Sequence, residues 1–111
     1  MKERCPFASS EGVSYVYFIQ AGWDGPIKIG YTTRLAKRLA ALQTGRDRQL
    51  IINLAYPGDR GEEARLHETF AKHRLSGEWF SPHDDILEYT EVESARHGAL
   101  SHIGLGVEDI A

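Results

Sequence analysis

Glu63 and His67 stand one helical turn apart, and both fall where an amphipathic helix should present carbon. At 100° per residue, a helix beginning near Asp59 and reaching about Arg74 carries Leu66 and Phe70 on its inner stripe, with Glu63, His67 and Arg74 among them. A carboxylate on that stripe is costly unless something pairs with it. Arg74 and Arg38 are the cations placed for a buried ion pair that would merely fix the packing. His67 reads either as a histidine satisfied within the fold or as a ligand. Glu62, Arg65, Glu68 and Lys72 take the solvent side of the same helix. In an earlier helix, Leu35, Leu39 and Leu42 form the apolar stripe. Arg38 lies about 60° off that stripe and borders the core, Arg34 lies further round, and Lys37 faces solvent.

Other site chemistries fail on spacing. Position 71 is alanine, so His67-Glu68 lacks the second histidine of a zinc-protease helix. No glycine loop is followed by lysine and a hydroxyl residue, and no serine or cysteine sits in a nucleophile motif. Cys5 is the single cysteine; it reads as an incidental thiol and points to a reducing compartment, with the cytoplasm as the expected location.

Charge favours a polyanionic partner in one half of the chain only. The net value of −3 argues against bulk coating of nucleic acid. Yet residues 26–56 hold Lys28, Arg34, Lys37, Arg38, Arg46 and Arg48 against Asp47 alone, a local +5. Residues 59–111 carry twelve acids and five bases, a local −7. The basic stretch can contact a phosphate backbone while the acidic half limits non-specific sticking; the plainer alternative is a solvated helix face followed by an acidic tail.

These residues must be positioned by a small fold. A length of 111 residues suits one domain, and 41% hydrophobic with 26% charged residues is an ordinary globular composition. No apolar run approaches the roughly 20 residues of a membrane span, and the first residues lack a hydrophobic signal core. Residues 14–20 are aromatic or β-branched almost throughout, as in a strand buried on both faces. Residues 21–26 supply two glycines and a proline for a hairpin loop. Residues 27–31 alternate as a second strand. Thr32 or Thr33 can cap a helix running to about Gln43, stopped by Gly45. Residues 49–56 form a third strand. Asp59 with Glu62 suggests a capping box for the second helix. Ser81 and Pro82 start a third helix with Asp84 and Asp85 in its first turn. The expected fold is α/β (α+β): a three-stranded antiparallel sheet flanked by helices, in the order β-β-α-β-α-α. Residues 1–12 and 98–111 are expected to be tails around a domain at 13–97.

Tyr15-Val16-Tyr17, Lys28-Ile29-Gly30-x-Thr32, Arg38, Glu63-x-x-x-His67-x-x-Phe70 and Gly77-Glu78-Trp79-Phe80 occur in that order. Together they resemble the GIY-YIG nuclease superfamily, and within it a phage and bacterial branch described as DNA-binding, whose second motif reads Lys-Ile-Gly. The resemblance spans about residues 14–81. It implies a phenol at Tyr17 that helps deprotonate an attacking water, and a glycine at Gly30 where a side chain would block backbone approach. It implies that Arg38 holds the scissile phosphate and that Glu63 binds one divalent ion, magnesium or manganese, acting as a Lewis acid. Lys28 stands where the second motif usually has tyrosine, either as a phosphate or solvent lysine or as a catalytic base. The asparagine that follows the glutamate helix in many such nucleases is missing; Asn53 lies in the wrong strand, and His67 is the stand-in.

The expectation is therefore a metal-dependent DNA endonuclease with Tyr17, Lys28, Arg38, Glu63 and His67 catalytic. Gly30, Tyr31, Thr32, Arg34, Lys37, Arg46 and Arg48 would meet DNA, with Trp23 in the hairpin loop touching a base or a partner. Trp79 and Phe80 read as core plugs rather than stacking platforms. The alternatives are a DNA-binding module without turnover, or a protein-interaction domain in phage–host regulation. Targeting would call for a homodimer, a protein partner or low specificity.

Overall fold

The apolar run at 14–20 forms the centre of the sheet, hydrogen-bonded on both sides. A computed structural model of the chain describes residues 13–97 and 103–104. Strand β1 (Tyr15–Ala21) pairs antiparallel with β2 (Ile27–Thr32) and with β3 (Leu50–Pro57). Helix α1 (Leu35–Gln43) joins β2 to β3. After β3 come α2 (Arg60–Thr69), a single 3₁₀ turn (Ala71–His73), β4 (Arg74–Ser76), β5 (Trp79–Phe80), α3 (Asp84–His97) and β6 (Ile103–Gly104). The sheet order is β4-β5-β2-β1-β3-β6.

A three-stranded sheet and the order β-β-α-β-α-α are thus incorrect. Five antiparallel strands lie within residues 13–97 and a two-residue sixth pairs with β3. Strands of two or three residues are too short to show alternation, and β5 exists because the edge of β2 offers Ile27 and Lys28 as partners for Phe80 and Trp79. The second helix also stops earlier than its periodicity suggests: it ends at Thr69, and Arg74 belongs to β4. The expected tail at 1–12, with Cys5, lies outside the described residues, as does 98–111 apart from Ile103–Gly104.

The two faces of the sheet divide the core. On one, Tyr17, Ile19, Leu50 and Ile52 pack against Leu35 and Leu39 of α1. On the other, Val16, Phe18, Ile29, Leu54 and Phe80 pack against Leu66, Phe70 and Ile86. The pairing of β1 with β3 shifts register between Phe18 and Ile19, opposite Leu54 and Ile52, which leaves Asn53 as the bulged residue. Its buried amide donates to Gln20 Oε1 at 3.0 Å, and Gln20 donates to the Gly25 carbonyl at 2.9 Å. Asn53 therefore braces the hairpin loop.

The caps differ from simple expectation. Neither threonine caps α1: Arg34 is the N-cap residue and has no side-chain cap, while Thr32 Oγ1 accepts the Arg34 N–H at 3.0 Å. Asp59 does cap α2, accepting the Glu62 N–H at 3.0 Å. Glu62 instead binds Arg65 through both oxygens and accepts the Tyr56 hydroxyl at 2.5 Å. Asp59→Ala is expected to lower stability by about 1 kcal/mol, a usual cost for a lost cap, read as a shift in the urea midpoint.

Candidate nucleic-acid interface

Tyr17 anchors the site because β1 is central and β2 leaves room for its ring. Tyr17 and Gly30 face each other across the two strands, and a Cβ on Gly30 would fall inside the Tyr17 ring and hydroxyl. Glycine is needed there for space, not for an unusual backbone angle. Tyr17 is fully buried, and its hydroxyl has no hydrogen-bond partner among the described residues. Burial pushes the phenol up to about 12, the Arg38 guanidinium nearby opposes this, and the Glu78 and Glu63 carboxylates reinforce it. Tyr17 is therefore a neutral phenol at neutral pH, facing one cation and two acids.

Those acids come from separate segments tied to one residue of β2. Ile29 N–H donates to the Glu78 carbonyl at 3.0 Å. The Ile29 carbonyl accepts from His67 Nε2 at 2.9 Å, which fixes the proton on that nitrogen. His67 also lies 3.8 Å from Glu63 Oε2 and edge-on to Phe80, so it fastens α2 to the sheet. Glu63 is half-buried, and its carboxyl is held above the usual range, first by burial and then by the Glu78 charge beside it. The two carboxyl groups are close enough to share a hydrogen bond when one is protonated. Lys28 Nζ pairs with Glu78 Oε1 at 3.1 Å. Arg74, the expected partner of Glu63, donates to the Gly77 carbonyl at 2.7 Å instead.

Beside this cluster, Thr32, Thr33, Arg34, Lys37, Arg38 and Ala41 line an open hollow of about 360 Å³. Arg38 is the link, exposed to the hollow yet near the Tyr17 hydroxyl. The other expected contacts are less free. Arg46 donates to the Leu42 carbonyl at 2.8 Å and lies over Trp79, whose ring also receives Lys28. Arg48 pairs with Asp24. Tyr31 is half-buried beneath Arg60. Trp23 is 73% exposed and lines a separate hollow with Gly22, Arg48, Gln49 and Ile51.

Sequence reasoning missed two site residues, Glu78 and Arg60, whose charge acts on Glu63 against the effect of Glu78. Glu78 follows Gly77, which adopts φ 56° in the turn between β4 and β5. A Gly-Glu pair before two large aromatics was the available signal, and only the return of β5 to β2 turns it into a site. Among the described residues, His73, His83 and Asp85 also lie close enough to suggest a metal group. Their imidazoles are stacked at 3.9 Å and 16°, so their in-plane lone pairs do not converge. His83 Nδ1 already accepts the Asp85 N–H at 3.0 Å; this corner starts α3.

Fold and site together define a small α+β domain with a basic hollow next to a buried phenol and two acids. The family model that matches is the T5orf172 domain, over residues 14–103, and the chain belongs to that family. The GIY-YIG assignment is thereby corrected, since no model of that superfamily matches. Its motifs are incomplete here: Lys28 replaces the second tyrosine, and no asparagine follows α2. No curated protein and no solved structure matches the chain. The family gives the protein a nucleic-acid-related role. Among the described residues, no helix is long and apolar enough to cross a membrane.

Proposed function

We propose that the protein binds DNA through the α1 hollow and hydrolyses a phosphodiester bond there with one magnesium or manganese ion held at Glu63. The observation that carries this is the grouping of Arg38 and Glu63, from α1 and α2, around the Tyr17 hydroxyl of β1, with Arg38 also lining the hollow beside Arg34 and Lys37. The donor set fits a hard cation: a half-buried carboxylate, and a buried hydroxyl with no hydrogen-bond partner among the described residues. When bound, the ion would supply Lewis-acid stabilisation of the leaving oxygen. Arg34 and Lys37 hold the backbone. Arg38 holds the phosphate under attack and balances the charge that grows on its oxygens. Tyr17, a neutral phenol, orients water or a phosphate oxygen by hydrogen bonding and does not serve as a phenolate.

The test is supercoiled plasmid incubated with the protein and magnesium or manganese. Nicking that requires the ion and disappears in Arg38→Ala supports the proposal. Salt-sensitive binding without cleavage would leave only the binding module, for which the hollow alone suffices. Absence of binding at low salt rejects both. Lys37→Ala should weaken binding similarly on all sequences and reduce the slope of log affinity against log salt by about 1, measured by fluorescence anisotropy.

A further inference from the structure

We infer that Glu78 is a second carboxylate ligand for the same divalent ion, and that Lys28 is the internal cation the ion must displace from it. This rests on the proposed metal-dependent reading of Glu63, and it adds a residue that reading does not require. Three observations converge. The segments bearing the two acids are both fastened to Ile29: Glu78 by its own carbonyl at 3.0 Å, and α2 through His67 at 2.9 Å, one turn from Glu63. Rigid backbone ties of this kind hold two acids close that would otherwise separate to reduce repulsion. Lys28 sits 3.1 Å from Glu78, with its side chain 15% exposed, while Glu63 has no lysine or arginine pair among the described residues. The Lys28 ammonium is the cation paired directly with Glu78, while Arg38 faces the Tyr17 hydroxyl and His67 lies 3.8 Å from Glu63, so a divalent ion in place of the ammonium adds one positive charge between the two carboxylates.

The third observation concerns the hydroxyl that both acids face. The Tyr17 hydroxyl is fully buried, lies near the Arg38 guanidinium and both carboxylate charges, and makes no well-formed hydrogen bond among the described residues. A buried hydroxyl left unpaired is costly. A hydrated ion between Glu63 and Glu78 brings water into the space Tyr17 faces, and that water gives the hydroxyl a partner. Magnesium and manganese commonly keep several waters and take one or two protein carboxylates, so Glu63, Glu78 and water form a sufficient set. Trp79, flanked by Lys28 and Arg46, shields the lysine side of the cluster.

The experiment measures manganese binding to the full chain, by the loss of the free-ion electron paramagnetic resonance signal, without DNA or turnover. Glu78→Gln should weaken binding about tenfold or more, the size of effect expected when a group that helps hold the ion is lost. Lys28→Gln should tighten it several-fold, because the competing ammonium is gone. Tightening cannot arise from misfolding, so the pair separates a ligand role from general damage. Wild-type affinity in Glu78→Gln, with binding lost in Glu63→Gln, overturns the assignment of Glu78 and leaves the metal at Glu63 standing. Unchanged or weaker binding in Lys28→Gln overturns the displacement. Absence of manganese binding by the wild type overturns both the inference and the metal reading beneath it.

Discussion

Glu63→Gln is expected to lower divalent-dependent DNA cleavage by about a thousandfold, comparable to removing a principal charge-stabilising group, while raising the stability of the metal-free protein at neutral pH. The first effect follows from losing the anionic oxygen that would hold the ion. The second follows from its surroundings. Burial first, and the neighbouring Glu78 charge second, hold the Glu63 carboxyl above its ordinary value in the folded protein. Folding therefore favours the protonated acid: this contribution is fully present below the unfolded-state value and is lost as pH rises through the folded-state value. Glutamine has similar shape, can still donate to Glu78, and never ionises. In a chelator-containing buffer, Tm of Glu63→Gln should exceed wild type at pH 7, and the two should converge in acid. A residue kept for packing would show the reverse, a variant less stable at every pH with cleavage intact. Plasmid nicking and thermal unfolding, run on the same preparations, separate these outcomes.

The features legible in the sequence were those set by local pattern. The aromatic run of β1, the alternation of β2, the leucine stripe of α1 and the Asp59 cap each follow from period or side-chain chemistry over a few residues. The inward position of Glu63 and His67 was visible from the helix wheel for the same reason. What those side chains meet was not visible, because it depends on chain return. Arg74 looked like the partner of Glu63 on the wheel, but α2 ends at Thr69 and the chain turns through 71–73 into β4. Arg74 then serves the Gly77 carbonyl. The same return brings Glu78 to Ile29 across 49 positions of sequence. Lys28 likewise gains Glu78 and Trp79 as neighbours only through β5. The basic stretch was recognisable by composition, yet its residues divide. Arg34, Lys37 and Arg38 line a hollow, whereas Arg46 and Arg48 are engaged by Trp79 and Asp24.

Gly30→Ala should be the most disruptive single-methyl change near the site, costing about 2 kcal/mol, within the 1–3 kcal/mol of an overpacked core. On most strands alanine would replace glycine with a gain, since glycine loses more freedom on folding. Here the added Cβ falls on the Tyr17 ring and hydroxyl. Tyr17 cannot easily yield, because it is fully buried in a strand paired on both sides and packed against Leu35 and Leu39. Either the ring moves, carrying the hydroxyl away from Arg38 and the two acids, or β2 moves, loosening the Ile29 ties to Glu78 and His67. Stability and cleavage should therefore fall together, with the urea midpoint lower by about 1 M for a slope of 1–3 kcal/mol/M. The decisive measurement is a double-mutant cycle. Tyr17→Leu removes the atoms that the new methyl strikes, so Gly30→Ala should cost much less stability in that background than in the wild type, though cleavage stays lost. Equal costs in both backgrounds would show that Gly30 is kept for backbone reasons, and that the space behind Tyr17 is not what positions the phenol.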